Sequence, residues 1–281
     1  MRTTVFEVLS PGVPAAFEGY CIAHVADLHL REASRPATRL LRALRGAHPD
    51  MIAMSGDLIR KNGGHPASIR NLALDLTRIA PTFFVTGNHE ARSRSLPELL
   101  QLLRSSGVRI LECDSMVLSR GNGSIAVAGI GDPGRYSRHG ISWTESVEKW
   151  ESDLSALRKK IQPGLYAVLL SHRPEFFGRY AELGFDLVLS GHAHGGQVRL
   201  PFIGALYAPG QGMFPALTSG MHRQGRTALV ISRGLGTSGI PVRMLNRPEL
   251  VVVRLRSQAE EPSSAEARTT RTLGTPIRLA I

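Results

Sequence analysis

The 281 residues carry 42% apolar side chains, enough to bury the core of one enzyme-sized domain, and nothing in the composition marks a disordered chain. Thirty-four Lys and Arg against 23 Asp and Glu leave a formal charge of +11, which favours polyanions such as nucleic acids, anionic membrane surfaces and phosphorylated small molecules without choosing among them. Only Cys21 and Cys113 are present, which excludes a disulfide framework and a cysteine-built structural zinc site.

Along the chain, short apolar runs alternate with polar turns and longer mixed segments. Strands are expected at 20–25, 51–55, 82–86, 109–111, 125–130, 166–171, 187–190, 228–232 and 250–255, most of them continuous apolar runs of the kind covered on both faces. Helices are expected at 37–45, at 69–79, at 96–105 with Pro97 in the first turn, and at 146–161. The stretch 199–226 breaks this rhythm. It is rich in Gly and Pro yet holds Phe202, Ile203, Leu206, Tyr207, Met213 and Phe214, and reads as a long, partly apolar loop, either a lid or acyl-chain surface or a plain packed connection. Residues 1–256 form the expected domain and 257–281 a flexible C-terminal tail rich in Ser, Glu, Ala, Arg and Thr. The first ten residues lack the apolar run of a signal peptide, and no stretch reaches the roughly 20 apolar residues of a membrane span. The expectation is a cytoplasmic protein, with peripheral contact to the inner face of the membrane left open.

Metal-binding side chains fall just after the strands. Asp27 and His29 follow the first, Asp57 the second, Asn88 and His89 the third, His172 a later one, and His192 and His194 the next. In a largely parallel sheet the carboxyl ends of strands share one edge, where open α/β sheets place ligands, so these groups can converge. Oxygen and imidazole donors without thiolate suit Mn, Fe, Zn or Mg rather than copper or an iron–sulfur cluster. Seven such groups exceed what one catalytic ion takes, and two ions sharing a carboxylate account for the number. The glycines of Ser-Gly-Asp, Thr-Gly-Asn-His and Ser-Gly-His let the backbone turn sharply as it leaves each strand.

The blocks Asp27-Leu28-His29, Gly56-Asp57, Gly87-Asn88-His89-Glu90, His172 and Gly191-His192-Ala193-His194 resemble, in order and spacing, the signature of the calcineurin-like metallophosphoesterase superfamily. The resemblance spans roughly residues 4–256. Longer strings, 171–175, 191–197 and 232–236, resemble a bacterial branch with envelope-associated phosphohydrolases and enzymes acting on UDP-2,3-diacylglucosamine. The resemblance implies a four-layer α/β/β/α sandwich of two mixed sheets and two divalent ions, with Mn, Zn or Fe ahead of Mg. One ion would use Asp27, His29, Asp57 and His194, the other Asp57, Asn88, His172 and His192, with Asp57 bridging and the catalytic His89 beside the site, able to protonate the leaving oxygen or to hydrogen-bond to the equatorial oxygens. Two departures leave every ligand in place: Ala26 stands where Ser is common, and Glu90 where Asp is frequent.

The expected activity is hydrolysis of a phosphoester or diphosphate bond by metal-activated water, on a phosphorylated small molecule, a lipid or a nucleotide sugar. A general or cyclic-nucleotide phosphodiesterase and a non-catalytic metal-binding scaffold are the alternatives. Nucleic acid is a poor candidate, because the aromatic-basic pattern of a binding module is absent from the sequence. Arg173, beside His172, is the foremost candidate for the substrate phosphate, ahead of Arg60, Lys61, Arg135 and Arg138. His24 alternates with apolar residues and reads as a core or supporting group. His48, His65, His139 and His222 read as loop residues, and both cysteines as buried small side chains.

Overall fold

The computed structural model describes residues 1–30, 37–61, 65–137, 140–196, 198–200, 204–237 and 243–257. Its principal strands are β1 (Arg2–Ser10), β2 (Cys21–Val25), β3 (Met51–Met54), β4 (Thr82–Phe84), β5 (Arg109–Ile110), β6 (Asp114–Arg120), β7 (Gly123–Ile130), β8 (Tyr166–Ser171), β9 (Leu187–Ser190), β10 (Gly220–Gln224), β11 (Thr227–Ile231) and β12 (Glu249–Ser257). The helices are α1 (Thr38–Ala47), α2 (Pro66–Ile79), α3 (Asn88–Arg92), α4 (Leu96–Ser105), α5 (Gly134–Ser137), α6 (Trp143–Lys160) and α7 (Phe177–Glu182).

The strands form two six-stranded mixed sheets, ordered β1-β12-β2-β3-β4-β5 and β10-β11-β9-β8-β7-β6. In the first, β12 runs antiparallel to β2 and the other pairs are parallel. In the second, the outer pairs β10–β11 and β6–β7 are antiparallel and the inner four strands parallel.

The period-2 alternation of strand side chains divides the interior into three layers of apolar contact. Ile22, Met51, Phe83, Val127, Val168, Leu189, Val230 and Val253 interdigitate between the sheets. Their neighbours Ala23, Ile52 and Phe84 face outward onto Leu44 of α1, Leu72 and Leu76 of α2, and Leu99 and Leu103 of α4. On the opposite side Ala128, Leu169 and Val188 pack against Trp150, Leu154 and Leu157 of α6 and Tyr180 of α7. This is the expected four-layer α/β/β/α sandwich.

Helices α3, α5 and α7 are not among those expected, and three stretches of strand also differ from expectation. β1 lies along β12 in register from Arg2 opposite Glu249 to Ser10 opposite Ser257, so a segment read only for the absence of a leader is an edge strand. β6 closes the far edge of the second sheet. Within the expected loop, residues 220–224 form β10, Arg199–Leu200 pairs with Gly204–Ala205, and Tyr207–Ala208 pairs with Gly212–Met213. His222 therefore sits in a strand rather than a loop. The flexible tail expected at 257–281 falls, apart from Ser257, outside the described residues, as do Phe202, Ile203, Arg138 and His139.

Candidate metal centre

The inner strands β2, β3 and β4 of one sheet and β8, β9 and β11 of the other release their chains at one edge, where backbone hydrogen bonds tie the loops together. Asp27 N donates to Gly56 O, Gly191 N to His172 O, and Leu235 N to Ala26 O. Within this frame Asp27, His29, Asp57 and His194 are all buried and place one ligand atom each within 4.8 Å of every other. The two Nε2 atoms of His29 and His194 lie only 3.0 Å apart. Their Nδ1 atoms are buried with no hydrogen-bond partner among the described residues. Burial pushes His29 down to about 3 and His194 to about 4, so both rings are neutral. Two carboxylates and two neutral imidazoles crowded together are oxygen and nitrogen donors of the kind a divalent cation takes.

His172 and Asn88 extend the cluster from the other side of Asp57. His172 Nδ1 donates to Ser55 O at 2.8 Å, which turns Nε2 towards Asp57 Oδ2 at 3.4 Å and Asn88 Oδ1 at 3.1 Å. Burial disfavours charge on both Asp57 and His172, but their mutual attraction prevails: Asp57 is held well below the usual carboxylate range and His172 is raised. His192 is placed differently. Its ring packs edge-on against His172, centroids 5.0 Å apart, while Nε2 lies 3.3 Å from Arg173 Nη1. Its backbone N–H donates to the Asp27 carboxylate.

Five of the seven ligand candidates have left-handed backbones: Asp27 (φ 52°), His29 (46°), Asp57 (53°), His192 (66°) and His194 (50°). Such values are uncommon for residues with a Cβ and concentrate where tertiary structure enforces an unfavourable conformation for function. The neighbouring glycines are sterically required. A Cβ on Gly87 would stand 2.3 Å from Asp57 Oδ1, and one on Gly191 2.4 Å from Asp27 Oδ2.

Glu90, a departure in the sequence, proves to organise the loop that carries Asp57. Fully buried, its carboxylate accepts the backbone N–H groups of Asp57, Ile59 and Gly87 at 2.8, 2.9 and 2.8 Å. His89 sits beside the cluster and is more exposed than the buried ligands Asp27, His29, Asp57 and His194. Its Nδ1 accepts the Lys61 N–H at 3.0 Å, so the proton of the neutral ring belongs to Nε2, 3.9 Å from Asp57 Oδ2.

Arg173 is 6% exposed, with Nε 2.5 Å from Asp132 Oδ2 and Nη1 3.0 Å from Glu175 Oε1. A phosphate at Arg173 would compete with two carboxylates already in place. Arg60 donates to Thr237 O and Arg135 pairs with Glu112. His24, wholly buried between the sheets, bonds Ser55 Oγ at 2.7 Å. Cys21 is buried and Cys113 only half-buried. The sequence reading missed Glu90, Asp132 and Glu175. Glu90 left a visible trace in its block, whereas Asp132 and Glu175 are marked only by adjacency to a glycine and to Arg173.

A family model described as calcineurin-like phosphoesterase matches residues 21–196, more than half of the chain. An uncharacterized metallophosphoesterase of Bacillus subtilis, YkuE, is 26% identical over 92% of this chain and 86% of its own length. The phosphodiesterase YaeI of Escherichia coli is 25% identical over 74% of this chain and 70% of its own. Among solved structures, TT1561 of Thermus thermophilus aligns at TM-score 0.48 and 14% identity, covering 76% of this chain and 89% of that one.

Proposed function

The chain belongs to the calcineurin-like phosphoesterase family, and from that premise we propose that it hydrolyses a phosphoester or diphosphate bond at a centre of two divalent ions. The observation that carries this reading is the set of four buried ligand atoms of Asp27, His29, Asp57 and His194 within 4.8 Å of one another. Asp57 is proposed to bridge, with Asp27, His29 and His194 on one side and Asn88, His172 and His192 on the other; the donors suit Mn, Zn or Fe ahead of Mg. Bound divalent ions would polarise phosphate oxygens and make water nucleophilic near neutral pH.

The chain's own residues supply the rest. His89 holds the single proton of its neutral ring on Nε2 at the rim, the Lys61 N–H fixing the tautomer, and offers it as a hydrogen bond to the phosphate oxygens as charge moves towards the departing ester oxygen. Arg173 supports the centre through His192. Metal analysis of the purified protein, followed by hydrolysis of nitrophenyl phosphate mono- and diesters with Mn, Zn, Fe or Mg, tests the proposal. Bound metal with turnover is expected; protein that neither binds metal nor hydrolyses any ester leaves the scaffold alternative.

A second reading, an acylated substrate such as UDP-2,3-diacylglucosamine met at a membrane surface, is favoured by one observation. Tyr207, Met213, Phe214, Met244 and Leu245 are large apolar side chains left exposed, and Val198 bridges to Met244. Phe214→Ser with Leu245→Ser should slow hydrolysis of the acylated substrate while sparing a nitrophenyl ester. Equal rates on both substrates would remove the lipid reading.

A further inference from the structure

On the far side of the Arg173 and Glu175 contacts to His192 lies a cleft of about 320 Å³ lined by Arg92, Trp143, Arg173, Glu175, Phe176 and Gly210. An adjoining cleft of about 470 Å³, over Gly134 and Ser137, shares Arg92 and Trp143 with it. Trp143, the first residue of α6, is 44% exposed, yet its ring is not loose: the Arg173 guanidinium lies 4.7 Å from its centroid. A tryptophan left this exposed yet fixed in orientation offers a ready surface for a flat ligand.

Arg92 ends the short helix α3 that begins at Asn88, four residues earlier, so both side chains project from the same face. Arg92 is exposed, and no hydrogen bond or salt bridge joins it to another described residue. Arg173, by contrast, is neutralised by Asp132 and Glu175. Among the described residues, the unspent cation of the cleft is Arg92.

We infer that this cleft is the subsite for the organic part of the substrate, and that it takes a planar aromatic or heteroaromatic group bearing a second negative charge. Aryl and nucleoside phosphoesters with a further phosphate or carboxylate have that chemistry. The inference rests on the phosphoesterase reading of the metal centre. The ring stacks on Trp143 and the second anion pairs with Arg92, while the ester phosphate lies over the acceptor cluster. Base–aromatic stacking alone is worth roughly ten-fold in affinity, and a charge-assisted pair to a guanidinium adds a similar factor.

Three esters with one leaving group separate these contributions: methyl p-nitrophenyl phosphate, thymidine 5′-(p-nitrophenyl phosphate) and its 3′-phosphorylated derivative, assayed on the full Mn-loaded chain. For the wild type, kcat/KM should rise about ten-fold from methyl to thymidine and again with the 3′-phosphate, mainly through KM. Trp143→Ala should bring the thymidine-to-methyl ratio near unity, and Trp143→Phe should restore most of it. Arg92→Ala should abolish only the gain from the 3′-phosphate, and Arg92→Lys should recover part. Because each readout is a ratio within one protein, loss of folded enzyme cancels. Wild type with equal kcat/KM on all three esters, or Trp143→Ala with the preference intact, would overturn the subsite alone. A metal-loaded wild type that turns over none of them would overturn the phosphoesterase reading and the subsite with it.

Discussion

On one side of Asp57, Asp27, His29 and His194 offer ligand atoms packed within 4.8 Å, the Nε2 atoms of the two neutral rings lying 3.0 Å apart. On the other side, His172 reaches Asp57 directly and Asn88 meets His172, but His192 keeps Nε2 against Arg173, itself held by Asp132 and Glu175. The first half draws its ligands from strand-end turns in left-handed conformations, steadied by the Glu90 carboxylate under Asp57 and by Asn246 on the His194 carbonyl. The second depends on a chain of side-chain contacts. Such outer contacts commonly change metal affinity by about 10–100-fold, so the two proposed ions should differ in how firmly they are held and in what disturbs them.

Asp57→Asn gives the largest effect. Removing the one carboxylate common to both halves should eliminate bound metal and depress phosphodiester turnover by about 10³-fold or more; full metal content in this variant would break the bridging assignment. Next, His89→Asn should leave metal content unchanged and slow kcat by roughly 100-fold, because His89 serves neither half as a ligand. A paired test sharpens the comparison itself. His194→Ala should lower metal content by one ion, whereas Arg173→Met, which severs the support of His192 without touching the first half, should weaken only the second ion, by about 10-fold. Metal titration followed by competition with a chelator distinguishes these outcomes, and equal weakening of both ions in Arg173→Met would erase the distinction.

The smallest effect is expected at Glu90. Glu90→Gln retains the shape and one accepting oxygen but turns an N–H bond donor towards backbone N–H groups, so metal affinity should fall by a few-fold to about 10-fold, with a lower melting temperature. An unaltered affinity would reduce Glu90 to a packing residue.

Much of this was legible before folding. The inner strands were visible because a strand covered on both faces must be a continuous apolar run, and Ile52, Ala53 and Met54 or Val168, Leu169 and Leu170 are such runs. β1, β6 and β10 were not visible because edge strands keep one side in water: Val5 and Val117 are both 53% exposed, and the mixed pattern resembles a turn. The start of α6 was set three residues late, since the capping box of Ser142 and Glu145 precedes its apolar periodicity. Arg92 was overlooked because α3 is only five residues long, too short to show a helical repeat, and its residues read as ligands.

The sequence by itself determined which residues could serve as metal ligands and in what order the sheets present them, because donor chemistry and local apolar pattern are properties of the residues themselves. Only the tertiary structure decided that four of those ligands meet in one buried cluster, that Glu90 clamps the Asp57 loop, and that Arg173 spends its charge on Asp132 and Glu175 while Arg92 does not. Those outcomes depend on which strand ends become neighbours and on the left-handed turns they impose on the chain. Both are fixed by the packing of two sheets drawn from distant segments, and no local stretch records them.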